Sequence, residues 1–126
     1  MLTINRRLKN TFLAHSILMA TFGLTFLVVP VWWGNLTGCL SNVVPQSFRA
    51  LSVGILALAI GSLLAYREDR WERVQLWTQV ACITNLLWPV VILLGLIFWG
   101  LPQIAWMYLV VLSGLGAAFN LNYPRQ

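Results

Sequence analysis

Acidic side chains are few in this sequence and missing from its apolar stretches. All three, Glu68, Asp69 and Glu72, fall within Tyr66-Arg67-Glu68-Asp69-Arg70-Trp71-Glu72-Arg73. Proton-coupled export and intramembrane acid–base catalysis usually rest on a carboxylate held inside the bilayer, so this absence weighs against small multidrug exporters and against an enzyme acting alone. Histidine occurs once, at His15, which excludes a bis-histidine haem or a histidine-rich metal centre within one chain. No serine or cysteine has an evident base and orienting acid beside it, as nucleophilic hydrolysis requires. The two cysteines, Cys39 and Cys82, are expected to be free thiols. One lies in a polar loop and the other about 12 Å into a helix that starts near Val74, whereas a disulfide needs Cα atoms within about 7 Å.

What is present is apolar. Of 126 residues, 60% are hydrophobic and only 9% charged, a balance that an ordinary soluble domain does not have and that requires lipid. The net charge of +5 does not point to nucleic acid. Its basic residues lie in short patches beside apolar runs, as anchoring to an anionic cytoplasmic leaflet requires.

Four spans are predicted, at about 12–33, 48–66, 74–99 and 103–121. The basic segment before the first, with Arg6, Arg7 and Lys9, suits a helical turn on the membrane surface. The apolar run from Phe12 to Trp33 is too long for a signal-peptide core and lacks a small-x-small cleavage site, so it reads as a retained span. It ends in Pro30-Val31-Trp32-Trp33-Gly34, where paired tryptophans suit the headgroup level and Gly34 suits a helix C-cap. A Gly- and Pro-containing loop follows, and the charged stretch around Glu68 forms the hinge between two hairpins. Gly100-Leu101-Pro102 makes the tight turn between the last two spans. Arg6, Arg7, Lys9, Arg67, Arg70, Arg73 and Arg125 then fall on one side and Arg49 alone on the other, so both termini are expected in the cytoplasm. The predicted fold class is an all-α membrane protein, an antiparallel four-helix transmembrane bundle forming a single domain.

Several residues stand out within the spans. Ala50, Gly54, Ala57, Gly61 and Ala65 recur at spacings of four, three, four and four, which puts them on one helical face suited to close helix packing. Ser113, Gly114, Gly116, Ala117 and Ala118 offer the last span a similar surface. Pro89 has no amide proton and crowds the carbonyl of Asn85, so a bend or break is expected there. Thr78, Ala81, Cys82 and Asn85 share a face and form the most polar locus near mid-membrane. His15 shares a face with Phe12, Met19, Phe22 and Phe26, where an imidazole beside aromatic rings suits either a pigment ligand or a hydrogen bond to a neighbouring helix. Arg49 suits snorkelling to phosphates, or pairing with a partner or anionic ligand.

The run Arg49-Ala50-Leu51-Ser52-Val53-Gly54-Ile55-Leu56-Ala57-Leu58-Ala59-Ile60-Gly61 resembles the second helix of small DoxX-like four-helix membrane proteins. The resemblance implies a bundle in a bacterial cytoplasmic (inner) membrane or an equivalent internal membrane, in a group that sometimes partners quinone-linked oxidoreductases. It carries no functional residue over. The function expected first is a non-enzymatic accessory subunit packed against other membrane-protein subunits or against its own copies, because the chain offers packing faces and no chemistry. A small oligomeric channel or carrier around Asn85, Thr78 and the Pro89 break is the second expectation, and a pigment- or lipid-binding subunit using His15 the third. No metal and no particular cofactor is implied.

Overall fold

A computed structural model describes residues 3–38 and 45–124. Cys39 and Arg125, which figure in the sequence reading, lie outside the described residues. The described chain consists of α1 (Arg6–Val28), α2 (Pro30–Thr37), α3 (Pro45–Arg67), α4 (Trp71–Phe98) and α5 (Ala105–Asn122). Four of these, α1, α3, α4 and α5, are long and apolar enough to cross a membrane. Their outward faces carry many bare apolar side chains: Leu76, Phe98, Val110 and Leu121 are each more than two-thirds exposed. In water such a surface would drive association, and in lipid it is the expected exterior.

The first predicted span needs correcting at both ends. α1 starts at Arg6, where Asn5 caps it by accepting from the Leu8 amide at 2.7 Å. His15 therefore lies about 13 Å into the helix. At the other end Val29 leaves helical geometry and Pro30 opens a separate short helix, α2, the first-turn position where proline's missing amide costs nothing. Gly34 does not cap a helix but sits buried inside α2, and the cap is Gly38 at φ 73°.

The hinge follows from its charges. Arg67 occupies the last turn of α3 and Glu72 the first turn of α4, each complementing the helix dipole it meets. Between them the Asp69 carbonyl accepts from the Ile4 amide at 3.2 Å, and the Asp69 carboxylate pairs with Lys9. Arg73 donates to Glu68 at 3.1 Å, which holds that exposed carboxyl below its ordinary range. Ile4, Leu8, Phe12, Trp71, Val74 and Phe119 form a dry cluster behind this clasp, and Asn122 reaches Thr11 at 3.3 Å. The N-terminal segment, the hinge and the end of α5 thus meet at one end of the molecule. At the other end Gly100, at φ 63°, lets the amides of Trp99 and Leu101 both reach the Gly95 carbonyl at 3.1 Å.

α1 packs along α3 and α4 along α5, while contacts between the two pairs are sparse. The face that α3 turns inward is Phe48, Ser52, Ile55, Ala59, Ser62 and Ala65. Of the small-residue stripe, Ala65 is buried and Gly61 lies directly under the Trp77 ring, but Ala50, Gly54 and Ala57 are exposed and nothing approaches within 4 Å of a Cβ built at Gly54. Among the described residues that part of the stripe is turned outward. The α1–α3 seam is made instead by the adjoining face of Phe48, Ser52, Ile55, Ala59 and Ser62.

Pro89 does not break its helix, since α4 runs without interruption from Trp71 to Phe98. The Asn85 carbonyl, deprived of an amide partner by the proline ring, faces α5 at Gly116. A Cβ there would lie 2.8 Å from that oxygen, so glycine is what lets the two backbones approach at this level.

Candidate functional site

Buried polar atoms inside an apolar bundle must find partners, and here they converge where the two helix pairs meet. His15 is fully buried and its Nδ1 lies 2.7 Å from Ser62 Oγ on α3. Trp77 Nε1 donates to the same oxygen at 3.2 Å. On the other side of the ring, Asn85 Nδ2 lies 3.1 Å from His15 Nε2, and it donates to the Ala81 carbonyl at 2.8 Å. These distances fix the roles. Amide nitrogen must face the Ala81 carbonyl, so its second hydrogen points to Nε2, which accepts; the imidazole is then the neutral Nδ1–H tautomer and donates to Ser62. Ser16 Oγ adds a bond to the Ala59 carbonyl at 2.8 Å that ties α1 to α3.

One atom is left over. Asn85 is only 1% exposed, and its Oδ1 is buried without a hydrogen-bond partner. An orphaned buried acceptor of this kind costs about 1–3 kcal/mol and calls for an explanation.

The cavity beside it supplies one. About 350 Å³ of space runs from His15 and Asn85 toward the end of the molecule marked by Gly38 and Gly100-Leu101-Pro102, within the size range of small-molecule sites. Met19, Phe22 and Phe26 wall it from α1, Phe48, Ile55 and Leu58 from α3, Trp88 and Ile92 from α4, and Tyr108, Val111 and Leu112 from α5. Ring contacts brace the walls across elements, Phe26 to Phe48 at 5.2 Å, Phe22 to Tyr108 at 5.3 Å and Phe22 to Trp33 at 6.1 Å between centroids. Among the described lining residues none carries a formal charge, and His15, Thr84, Asn85, Tyr108 and the indoles of Trp33 and Trp88 supply the polar side-chain atoms. The space lies between the pairs α1–α3 and α4–α5, each joined more closely within itself than to the other.

Of the four candidate ligand contacts, His15, Thr78, Asn85 and Arg49, the structure brings together His15 and Asn85 and joins them by a hydrogen bond. Thr78 is buried on the same face of α4, but its hydroxyl donates to the Val74 carbonyl at 2.8 Å and it does not line the cavity. Arg49 is exposed on the first turns of α3, outside the lining. Ser62 and Trp77 were missed, although the 3.6-residue recurrence of Ser52, Ile55, Ala59 and Ser62 was the available signal. Both ring nitrogens of His15 are engaged, so axial ligation of a pigment would have to break the network. Among the described residues no cluster of His, Cys, Asp and Glu is placed to hold a metal ion, and Cys82 is a buried free thiol. Set against protein-family models, curated proteins and solved structures, the chain matches none.

Proposed function

We propose that this chain is a non-catalytic, multi-pass protein of the bacterial cytoplasmic membrane or an equivalent internal membrane, and that it binds a lipid-like molecule in the cleft between its two helix pairs. The observation that carries this reading is the apolar, uncharged cavity ending on the buried His15–Asn85 pair. An antiparallel four-helix bundle with both termini cytoplasmic is the matching arrangement. The meeting of the N-terminal segment, the basic hinge and the end of α5 supports it, together with the positive charge collected there. A transport path is less well supported, because beyond His15 and Asn85 the space gives way to the packed cluster of Leu8, Phe12, Trp71, Val74 and Phe119.

The test is a thermal-unfolding shift in detergent with a long-chain apolar probe. A ligand that binds the folded state alone stabilises it in proportion to its concentration over Kd. The parent should gain stability with added probe. Ile55→Trp, which fills the cleft from the α3 wall, should not. A parent that shows no shift refutes the reading.

A second reading, an accessory subunit packed against other membrane-protein subunits or its own copies, is favoured by Ala50, Gly54 and Ala57, small residues exposed on α3 that offer a close-approach surface. Crosslinking through cysteines placed at Ala50 and Ala57 tests it, since both should capture a neighbour in native membranes. No capture at either position removes it.

A further inference from the structure

We infer that the molecule taken by the cleft is an uncharged long-chain alcohol whose hydroxyl donates to Asn85 Oδ1. This rests on the binding reading above and names the head group. The polar floor of the cavity is asymmetric in its needs. Both hydrogens of the Asn85 amide are taken, one by the Ala81 carbonyl and one by His15 Nε2, and the His15 Nδ1 hydrogen is taken by Ser62. What the Asn85 and His15 side chains leave open between them is an acceptor, Asn85 Oδ1.

A ligand that completes this network must therefore bring a donor. An ammonium donor is disfavoured, because the lining holds no carboxylate to pair with it and an unpaired charge in such a site is costly. An amide head would bring a carbonyl as well as a donor, and the Asn85 and His15 hydrogens are already taken. A hydroxyl supplies one donor and little else. Oδ1 is fully enclosed, so the hydroxyl reaches it by moving lining side chains, and Met19 on the adjoining wall is unbranched and adaptable. The tail then lies along the wall of Phe22, Phe26, Ile55 and Ile92 toward the open end.

The experiment compares dodecanol, dodecyl methyl ether and dodecylammonium as ligands for the full chain in phosphatidylcholine nanodiscs, with each probe expressed as its mole fraction in the bilayer. Binding is followed through the fluorescence of the cavity tryptophans Trp33 and Trp88. The alcohol should bind about five- to tenfold more tightly than the ether, as expected of one neutral hydrogen bond in a buried site, and the ammonium probe should bind weakest. In Asn85→Leu the alcohol and the ether should bind alike. Because that substitution also strips His15 Nε2 of its partner, the alcohol-to-ether ratio in the parent decides the question if the variant does not fold.

Equal binding of alcohol and ether by the parent overturns the hydroxyl inference and leaves the binding reading standing; a water on Oδ1 would give this result. Tighter binding of the ammonium probe also overturns it. Failure of all three probes overturns both. Dioleoylglycerol, measured alongside once the alcohol-to-ether ratio has established the donor, separates the two sources of a neutral hydroxyl: tighter binding than dodecanol assigns a glyceride and weaker binding a single-chain alcohol.

Discussion

Ser52 and Ser62 lie on the same helix, are both fully buried, and lose the same hydroxyl when changed to alanine. Their roles differ. Ser52 donates to the Arg49 carbonyl at 2.6 Å, a bond within one turn of α3. Ser62 receives His15 Nδ1–H at 2.7 Å and Trp77 Nε1–H at 3.2 Å, so Ser62→Ala strands two donors on two other helices. Leaving a buried donor unsatisfied costs about 1–3 kcal/mol. Measured polar pairs between membrane helices average about 0.6 kcal/mol and reach about 1.7 kcal/mol, since the unfolded state in lipid also finds partners. The His15 bond is short and wholly buried and belongs near the upper figure, whereas the Trp77 bond is longer and partly exposed and belongs near the average. Ser62→Ala should therefore destabilise the protein by about 2 kcal/mol more than Ser52→Ala. Equilibrium unfolding of both variants and the parent in the same detergent, followed by tryptophan fluorescence, measures the difference. If the two serines cost the same within about 0.5 kcal/mol, the His15–Ser62–Trp77 network does not hold the helices together as described.

Two further outcomes follow from the packing and the hinge. Gly116→Ala places a Cβ 2.8 Å from the Asn85 carbonyl oxygen, a backbone atom that cannot swing away, and should cost about 1–3 kcal/mol; Gly114→Ala, which meets nothing within 4 Å, should be neutral or stabilising by up to about 1 kcal/mol, and equal unfolding midpoints would contradict this. The Glu68 carboxyl is held below its ordinary pKa of 4.5, mainly by the hydrogen bond from Arg73. Its contribution is thus present above about pH 4.5 and lost as the pH falls through the lower folded value, so Glu68→Gln should flatten the acid limb of a thermal-stability profile, and an unchanged limb would refute the role of the pair.

Much of the frame was legible because hydropathy reports on it directly. The predicted spans at 48–66, 74–99 and 103–121 fall within three residues of α3, α4 and α5 at each end. The first span was harder for a physical reason: the apolar run continues through Val29, Pro30 and Val31, so composition alone shows no boundary, and proline suits a helix start as well as a helix end. At the other end Arg6, Arg7 and Lys9 looked like a surface turn, yet they extend α1 and leave Leu8 fully buried. For α3 the small residues drew attention away from the Ser52–Ile55–Ala59–Ser62 face that makes the seam. The site was half legible. Asn85 stood out through Pro89 four residues on, and His15 through its rarity, but the bond between them joins residues 70 apart, and nothing local in a sequence encodes such a pairing. The cavity was invisible for the same reason, since it lies between one helix pair and the other.

The most direct test of the central claim, that the cleft between the helix pairs holds a lipid-like molecule, is the intact mass of the protein released from its native membrane by native mass spectrometry. The parent should carry one retained neutral lipid-like adduct per chain, and Ile55→Trp should fly without it. A parent that appears only at its bare polypeptide mass, or an adduct that Ile55→Trp retains equally, would contradict the claim.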